Sequence, residues 1–288
     1  GEALARLADR DPAATVFVPG PTLDRDCRMG IAEFARTVEN VTVLLGSPRG
    51  AARETIHSGD AKFLPTTRAS DYPLTIRRLS ESAERTIGVV ETTEPRDGTV
   101  TPGINGMAVG AIVDAADVLV AETNDNEPRL PGLAYEIERF DHTLQSHHPL
   151  PQLPSPSPNE RATHIGEAVA EIVPDGATLH IGFGSLPHAI AQALSGHADL
   201  GLHSGMVSPN VVELIEDGVI TRGSAVLEET SDGPFARPGL ATTTLGDDRA
   251  FYDWLVETQA VAIGSIGQIH DPCVAGANPK FTAVNSGL

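Results

Sequence analysis

The 288 residues are 40% hydrophobic, which is enough for two domains with cores of ordinary size. Thirty-nine acidic residues against 20 basic ones give a net charge of -19, and Lys62 and Lys280 are the two lysines. That balance argues against nucleic-acid binding, which needs a basic surface to meet phosphate.

Apolar runs alternate with helix-like patterns along the first half. "TVFVPG" (residues 15–20) and "VTVLLG" (41–46) read as strands, with the amphipathic "DRDCRMGIAEFARTV" (24–38) between them. "TIGVVET" (86–92) and "ADVLVAETN" (116–124) follow as further strands. Short, continuous, β-branched runs separated by helices predict a parallel sheet covered on both faces. The longest apolar stretch, 107–120, is interrupted by Asp114 and falls short of the roughly 18 residues that a membrane helix needs. No membrane partner is expected. With no signal-peptide pattern at the start, a cytoplasmic setting is expected. Cys27 and Cys273 are far apart, so neither a disulfide nor a metal site is expected.

Residues 149–158, "PLPQLPSPSP", contain five prolines in ten positions. Such a stretch holds neither a helix nor an inner strand. It divides the chain into domains 1–148 and 159–288, joined by a linker, unless it is a long loop inside one domain.

The alternation resumes after it. "THIGEAVAEIV" (163–173) is a helix, "ATLHIGF" (177–183) a strand, and "PHAIAQAL" (187–194) a helix with proline in its first turn. "DLGLHS" (199–204) is the next strand, ending at His203-Ser204. After it "SPNVVELIED" reads as a helix capped by Ser208, begun by Pro209 and ended by Gly218. Later strands are expected at "AVLEE" (225–229) and "AVAIGS" (260–265). The fold class is α/β: two domains with mainly parallel sheets covered by helices.

Gly182 and Gly184 form a glycine pair between a strand and a helix start. Glycine lets backbone approach a ligand, and a helix N-terminus favours anions. A tight turn with no ligand gives the same pattern. A dinucleotide fingerprint is absent, because Pro187 stands where its third glycine would be.

"PDGATLHIGFGSLPHAIAQAL", then "DLGLHSGM", then "VVELIEDGVIT", resembles in order and spacing the acetyl-CoA hydrolase and transferase family, which includes 4-hydroxybutyrate, butyryl and succinyl CoA-transferases. "SDYP" (70–73), "PRDG" (95–98), "AETNDNEPR" (121–129) and the closing "HDPCVAGANPKFTAVNSGL" extend the resemblance over nearly the whole chain. It implies two α/β domains with the active site between them. It implies CoA contacts at Gly182, Phe183, Gly184, Ser185 and Leu186, with acyl-CoA and a small carboxylate as substrates rather than any resident cofactor. A homo-oligomer is expected. The resemblance also implies further chain beyond Leu288, with a glycine-rich loop that helps bind CoA, so the second domain is expected to be incomplete.

The reaction it implies is covalent. A glutamate carboxylate attacks the acyl-CoA thioester to give an anhydride, and CoA thiolate returns to make a glutamyl-CoA thioester that an incoming carboxylate opens. The glutamate follows a His-Thr-like pair at a strand end. Here the pair is His203-Ser204 and the next residue is Gly205; Glu213 lies too far along to be the same residue.

The catalytic group is therefore open. Ser204 as nucleophile lacks a base, since adjacent strand residues point to opposite faces. His203 as base for a water would make a hydrolase, and it reads equally as a histidine filling a polar niche. Glu122 could face the cleft or cap a loop, while His188, Glu228, Glu229 and "GDDR" (246–249) read as surface. Three functions follow: an acyl-CoA-handling transferase or hydrolase without the glutamyl route, a catalytically silent CoA- or acyl-CoA-binding protein of the same fold, or, more remotely, a plain nucleotide-binding domain pair. The acid excess further suggests a halophilic protein; a GC-rich genome accounts for Arg over Lys but not for the excess.

Overall fold

The computed structural model describes residues 53, 56–59, 71–154, 156–224, 227 and 237–285, together with the backbone of strands 14–18, 42–45 and 62–63; in 282–285 also the backbone alone is described. The amphipathic 24–38, Cys27, Ser70, the strand expected at 225–229 (Leu227 aside), with Glu228 and Glu229, and 286–288 lie outside the described residues.

The chain forms two compact units, residues 1–127 with 134–149, and residues 128–133 with 150–288. In the first, strands β1 (Ala14–Val18), β2 (Thr42–Leu45), β3 (Lys62–Phe63), β4 (Arg85–Thr92), β6 (Val118–Asn124) and β8 (His142–Ser146) make one sheet in the order β3-β2-β1-β4-β6-β8. Every pairing in it is parallel. A small antiparallel pair, β5 (Thr99–Val100) with β7 (Tyr135–Glu136), stands apart. Helices α1 (Tyr72–Ser82) and α2 (Val109–Ala115) bury Ile76, Val109, Ile112 and Val113. The side chains of β6 are buried on both faces, as in a covered parallel sheet.

The second unit repeats the plan. β9 (Thr178–Ile181), β10 (Leu200–Val207), β12 (Gly239–Thr244), β13 (Val261–Ile263) and β14 (Phe281–Asn285) line up as β13-β12-β10-β9-β14, and β11 (Ile220–Arg222) pairs with β10. All of these pairings are parallel too. The helices are α3 (Glu160–Ala170), α4 (Ser185–Ala193), α5 (Val212–Glu216), α6 (Arg249–Thr258), α7 (Ile266–His270) and α8 (Pro272–Gly276). The α3 helix starts earlier than its apolar pattern suggests, because the Asn159 side chain caps it by accepting from Ala162 N–H at 2.9 Å.

Two expectations change. The strand at 199–204 does not stop at Ser204: β10 runs on to Val207, because Met206 and Val207 stay in register with Thr243 and Thr244 of β12. Gly205 therefore lies inside a strand. Ser208 makes no cap bond to backbone; its hydroxyl pairs with the Asn210 side chain at 2.7 Å, and a 3-10 turn over Pro209–Val211 precedes α5.

In the proline-rich segment, Leu153 N–H donates to Gly246 O at 2.8 Å and Pro151 O accepts from the Tyr252 hydroxyl at 2.6 Å. Residues 150–154 are thus fastened to the second unit. No described helix is long and apolar enough to cross a membrane.

Candidate functional site

In the second unit the chain leaves β9 and builds β10, β12 and β13 to one side, then returns to lay β14 on the other. The strand order reverses at β9. In open parallel sheets the crevice beyond the carboxyl end of such a strand is where ligands bind.

Gly182, Phe183 and Gly184 follow β9 at that point, and Ser185 and Leu186 open α4. All five are half-buried. Gly184 has φ 121° and ψ -178°, a conformation essentially reserved for glycine. A Cβ built on it would meet nothing nearer than Pro187 Cδ at 4.0 Å, so the space in front of the turn is open. The five residues are consecutive at the junction of β9 and α4.

β10 lies beside β9. Ser204 is fully buried: its hydroxyl accepts from Ile181 N–H at 3.1 Å and faces two carbonyl acceptors, Ile181 O at 2.6 Å and Met206 O at 2.8 Å. The hydroxyl pins β10 to β9, which removes it from the nucleophile candidates. His203 is 2% exposed, with Nδ1 against the Ser224 hydroxyl at 2.8 Å and its ring edge-on to Phe281 at 5.5 Å. It fills a polar niche and has no opening to a bound water, which weakens it as a base.

Two histidines that sequence reasoning passed over stand on either side of Gly205. His180, on β9, accepts the Gly205 N–H on Nε2 at 3.3 Å, which places its own proton on Nδ1. His270 ends α7, a helix set by a capping box between Ser265 and Gln268. The His180 and His270 rings are edge-to-face with centroids 5.3 Å apart. A Cβ on Gly205 would lie 2.8 Å from both Cε1 and Nε2 of His270 and 3.2 Å from His180 Nε2. The 2.8 Å contacts are shorter than a side-chain carbon tolerates and the 3.2 Å one is tight, so the glycine makes room for the His270 imidazole.

Burial lowers the His180 pKa to about 4, and His270 and His203 add to the shift. Burial also lowers the pKa of His203, against the carbonyls of Ile269 and Gln268, which raise it. His270 is lowered by burial. At neutral pH the site holds three neutral imidazoles. Among the described residues no group of three or more His, Cys, Asp or Glu side chains is arranged to hold a metal ion.

His188 is half-buried rather than a free surface residue, and its Nδ1 is buried without a hydrogen bond. It lines a cavity of about 310 Å³ with Gln192, Asn210, Glu213, Asp217 and Asp247. Three carboxylates make that cavity unsuitable for phosphates. In 246–249, Asp247, Asp248 and Arg249 are exposed, and Asp248 caps α6.

The first unit holds a separate polar cluster. Glu122 is not in a loop: it sits in β6, 4% exposed, directly paired with the equally buried Glu91 of β4. His148 Nε2 lies 3.0 Å from Glu91 Oε1 and 3.7 Å from Glu122 Oε1. Glu127 accepts the Ile104 N–H at 2.9 Å. Burial, with the charge of Glu91 next in size, pushes the Glu127 pKa well above the carboxylate range, and a hydrogen bond to Glu91 adds to the effect. The buried Glu127 carboxyl therefore favours its protonated form. The close packing of three glutamates was hidden in the sequence, because their strand register is a tertiary fact.

No family model matches the chain. It is 30% identical over 242 residues to the succinyl-CoA:acetate/propanoyl-CoA:succinate CoA transferase of Fasciola hepatica, covering 82% of this chain and 48% of that one. It is 27% identical over 240 residues to the 4-hydroxybutyrate coenzyme A transferase of Clostridium kluyveri, covering 82% and 53%. The chain spans about half the length of the curated relatives it matches. The crystal structure of 4-hydroxybutyrate CoA-transferase from Porphyromonas gingivalis superposes with a TM-score of 0.78 at 23% identity, covering 96% of this chain and 70% of that one. RipA from Yersinia pestis superposes with a TM-score of 0.79 at 21% identity, covering 99% and 71%; at these identities the likeness establishes the fold. By sequence and by fold together, the chain belongs to the CoA-transferase and hydrolase family.

Proposed function

We propose that this protein handles acyl-CoA, moving CoA between a carboxylate and an acyl-CoA or hydrolysing the thioester, by a route other than a glutamyl intermediate. The observation that carries the reading is the glycine turn. It stands at the strand where the sheet order reverses, and the space before Gly184 is open to a ligand. Backbone N–H groups of Gly182 to Leu186 would meet the phosphate or pantetheine part of CoA. The relatives named above as CoA transferases support the same substrate class.

The resemblance puts Gly205 at the family's nucleophilic glutamate, and glycine supplies no carboxylate. That favours one second reading, a protein of this fold that binds CoA or acyl-CoA and is catalytically silent.

Calorimetric titration with CoA tests the site. Gly184→Val should weaken binding at least tenfold, about 1.4 kcal/mol. Because the positive φ strains any replacement, a thermal melt of the variant must accompany the titration. Equal affinities in two folded proteins would remove the turn from the site.

A further inference from the structure

We propose that His270 is the general base of a water-driven thioester hydrolysis in this protein, and that Gly205 is glycine because that imidazole occupies the space of its side chain. The inference rests on the acyl-CoA reading above and decides between its two reactions.

Four observations carry it. His270 comes off α7, which follows β13, and its ring reaches across to β10 beside the carboxyl end of β9, where the glycine turn begins. It is half-buried, whereas His203 is sealed in. His180 and His203 are each tied to a named partner, the Gly205 N–H and the Ser224 hydroxyl, while among the described residues the His270 ring makes no hydrogen bond. Its Nε2 lies 2.8 Å from where a side chain on Gly205 would begin. A water that this nitrogen activates would sit about 2.6–3.2 Å from it, on the side chain's edge nearest Gly205.

The titratable groups facing the His270 ring are His180 and, behind it, His203, both neutral at pH 7. Burial lowers the pKa of His270 as well, so it is a free base at neutral pH. In the step, Nε2 takes a proton from water as the water oxygen bonds to the thioester carbonyl carbon. The tetrahedral intermediate collapses with cleavage of the C–S bond. The imidazolium returns the proton to the departing thiolate, so acyl-CoA and water give carboxylic acid and CoA thiol, and His270 ends neutral.

Acetyl-CoA is the probe, and release of free thiol is the readout. His270→Gln removes the base and should slow thiol release by about 10²- to 10⁴-fold. CoA affinity, measured by calorimetry, should stay within a few-fold of wild type. The wild-type rate should rise with pH through a midpoint below the ordinary histidine value of about 6.5 and then level off; the variant should lose that rise. In His270→Ala the vacated space beside Gly205 should admit free imidazole, and added imidazole should restore part of the rate. In ¹⁸O-labelled water the acetate should carry the label. Retention of the rate and its pH profile in both variants overturns the proposal, and so does tight acetyl-CoA binding with no thiol release. An acetyl group trapped on a glutamate or on His270 itself overturns the base role. Absence of CoA binding in folded wild type overturns the acyl-CoA reading and this proposal with it.

Discussion

The imidazole of His270 stands 2.8 Å from the point where a Cβ on Gly205 would begin. The two residues are 65 positions apart in the chain, yet each fixes what the other can be. Gly205→Glu therefore does more than insert a carboxylate. Its Cβ must displace the ring, and overpacking of this kind costs about 1–3 kcal/mol. We expect Gly205→Glu to melt at a lower temperature than wild type and His270→Ala to recover part of that loss in the double variant. A double-mutant cycle measured by urea unfolding gives the coupling directly. Additive losses would mean that the ring moves aside freely. If the double variant then traps a glutamyl adduct with acyl-CoA, the placement of the family's nucleophile at 205 is supported; an adduct on another carboxylate of the wild type would place it elsewhere.

The histidines also set an acid limit on the second unit. The folded pKa of His180, about 4, lies below the unfolded value of 6.5. Below pH 6.5 the unfolded chain takes up a proton that the folded chain refuses until about pH 4. The stability that neutral His180 contributes is therefore whole above 6.5 and is lost as pH falls through about 4, roughly 3 kcal/mol in all. His203 and His270 shift in the same direction. His180→Gln keeps an acceptor for Gly205 N–H and cannot titrate. Urea melts at pH 7.5 and 4.5 should show wild type losing more stability than the variant. Equal losses would mean that protonation at 180 is not linked to folding.

The broad architecture was legible because each β-branched run is both a strand and a buried stripe, so 86–92 and 116–124 announce themselves. β12 was missed: "GLATTT" is β-branched but short and opens on glycine, and it gains strand character from its place between β10 and β13. The end of β10 was misread for the same reason, since Gly205 weakens the local signal and the ladder with β12 restores it. The glycine turn was legible as a motif. The imidazole cluster was not, because His180, His203 and His270 come from three elements and no spacing links them. "GQIHD" after a strand carried a faint signal, a capping box delivering a histidine to a sheet end.

In the first unit the sign is reversed. Glu127 holds its proton above the ordinary carboxylate value through burial and the neighbouring Glu91. A raised pKa means that the favourable state is present below the unfolded value and is lost as pH rises through the folded one. Glu127→Gln resembles the protonated acid, keeping an oxygen for Ile104 N–H and offering an N–H to Glu91. The variant should gain on wild type as pH rises from 4.5 to 8 in thermal melts. A wild type that gains on the variant over that range would show that Glu127 is ionised in the fold.

The final expectation concerns the charge. With 39 acidic and 20 basic residues, the folded chain repels itself at low ionic strength. The Debye length falls from about 10 Å at 0.1 M salt to about 3 Å at 1 M, which screens carboxylates spread over a surface but leaves buried pairs such as Glu91 and His148 nearly untouched. Melting temperature should therefore rise steadily from low to molar salt, and more with KCl than the same osmolality of sucrose produces. CoA is an anion as well, so its affinity should improve with moderate salt, unlike that of a ligand drawn in by a basic patch. The cavity lined by Glu213, Asp217 and Asp247 shows how close acidic groups come to α4. A melting temperature flat from 0.1 M to 1 M would mean that the acid excess does not limit stability. The shortage of lysine would then reflect codon bias, with no adaptation to salt.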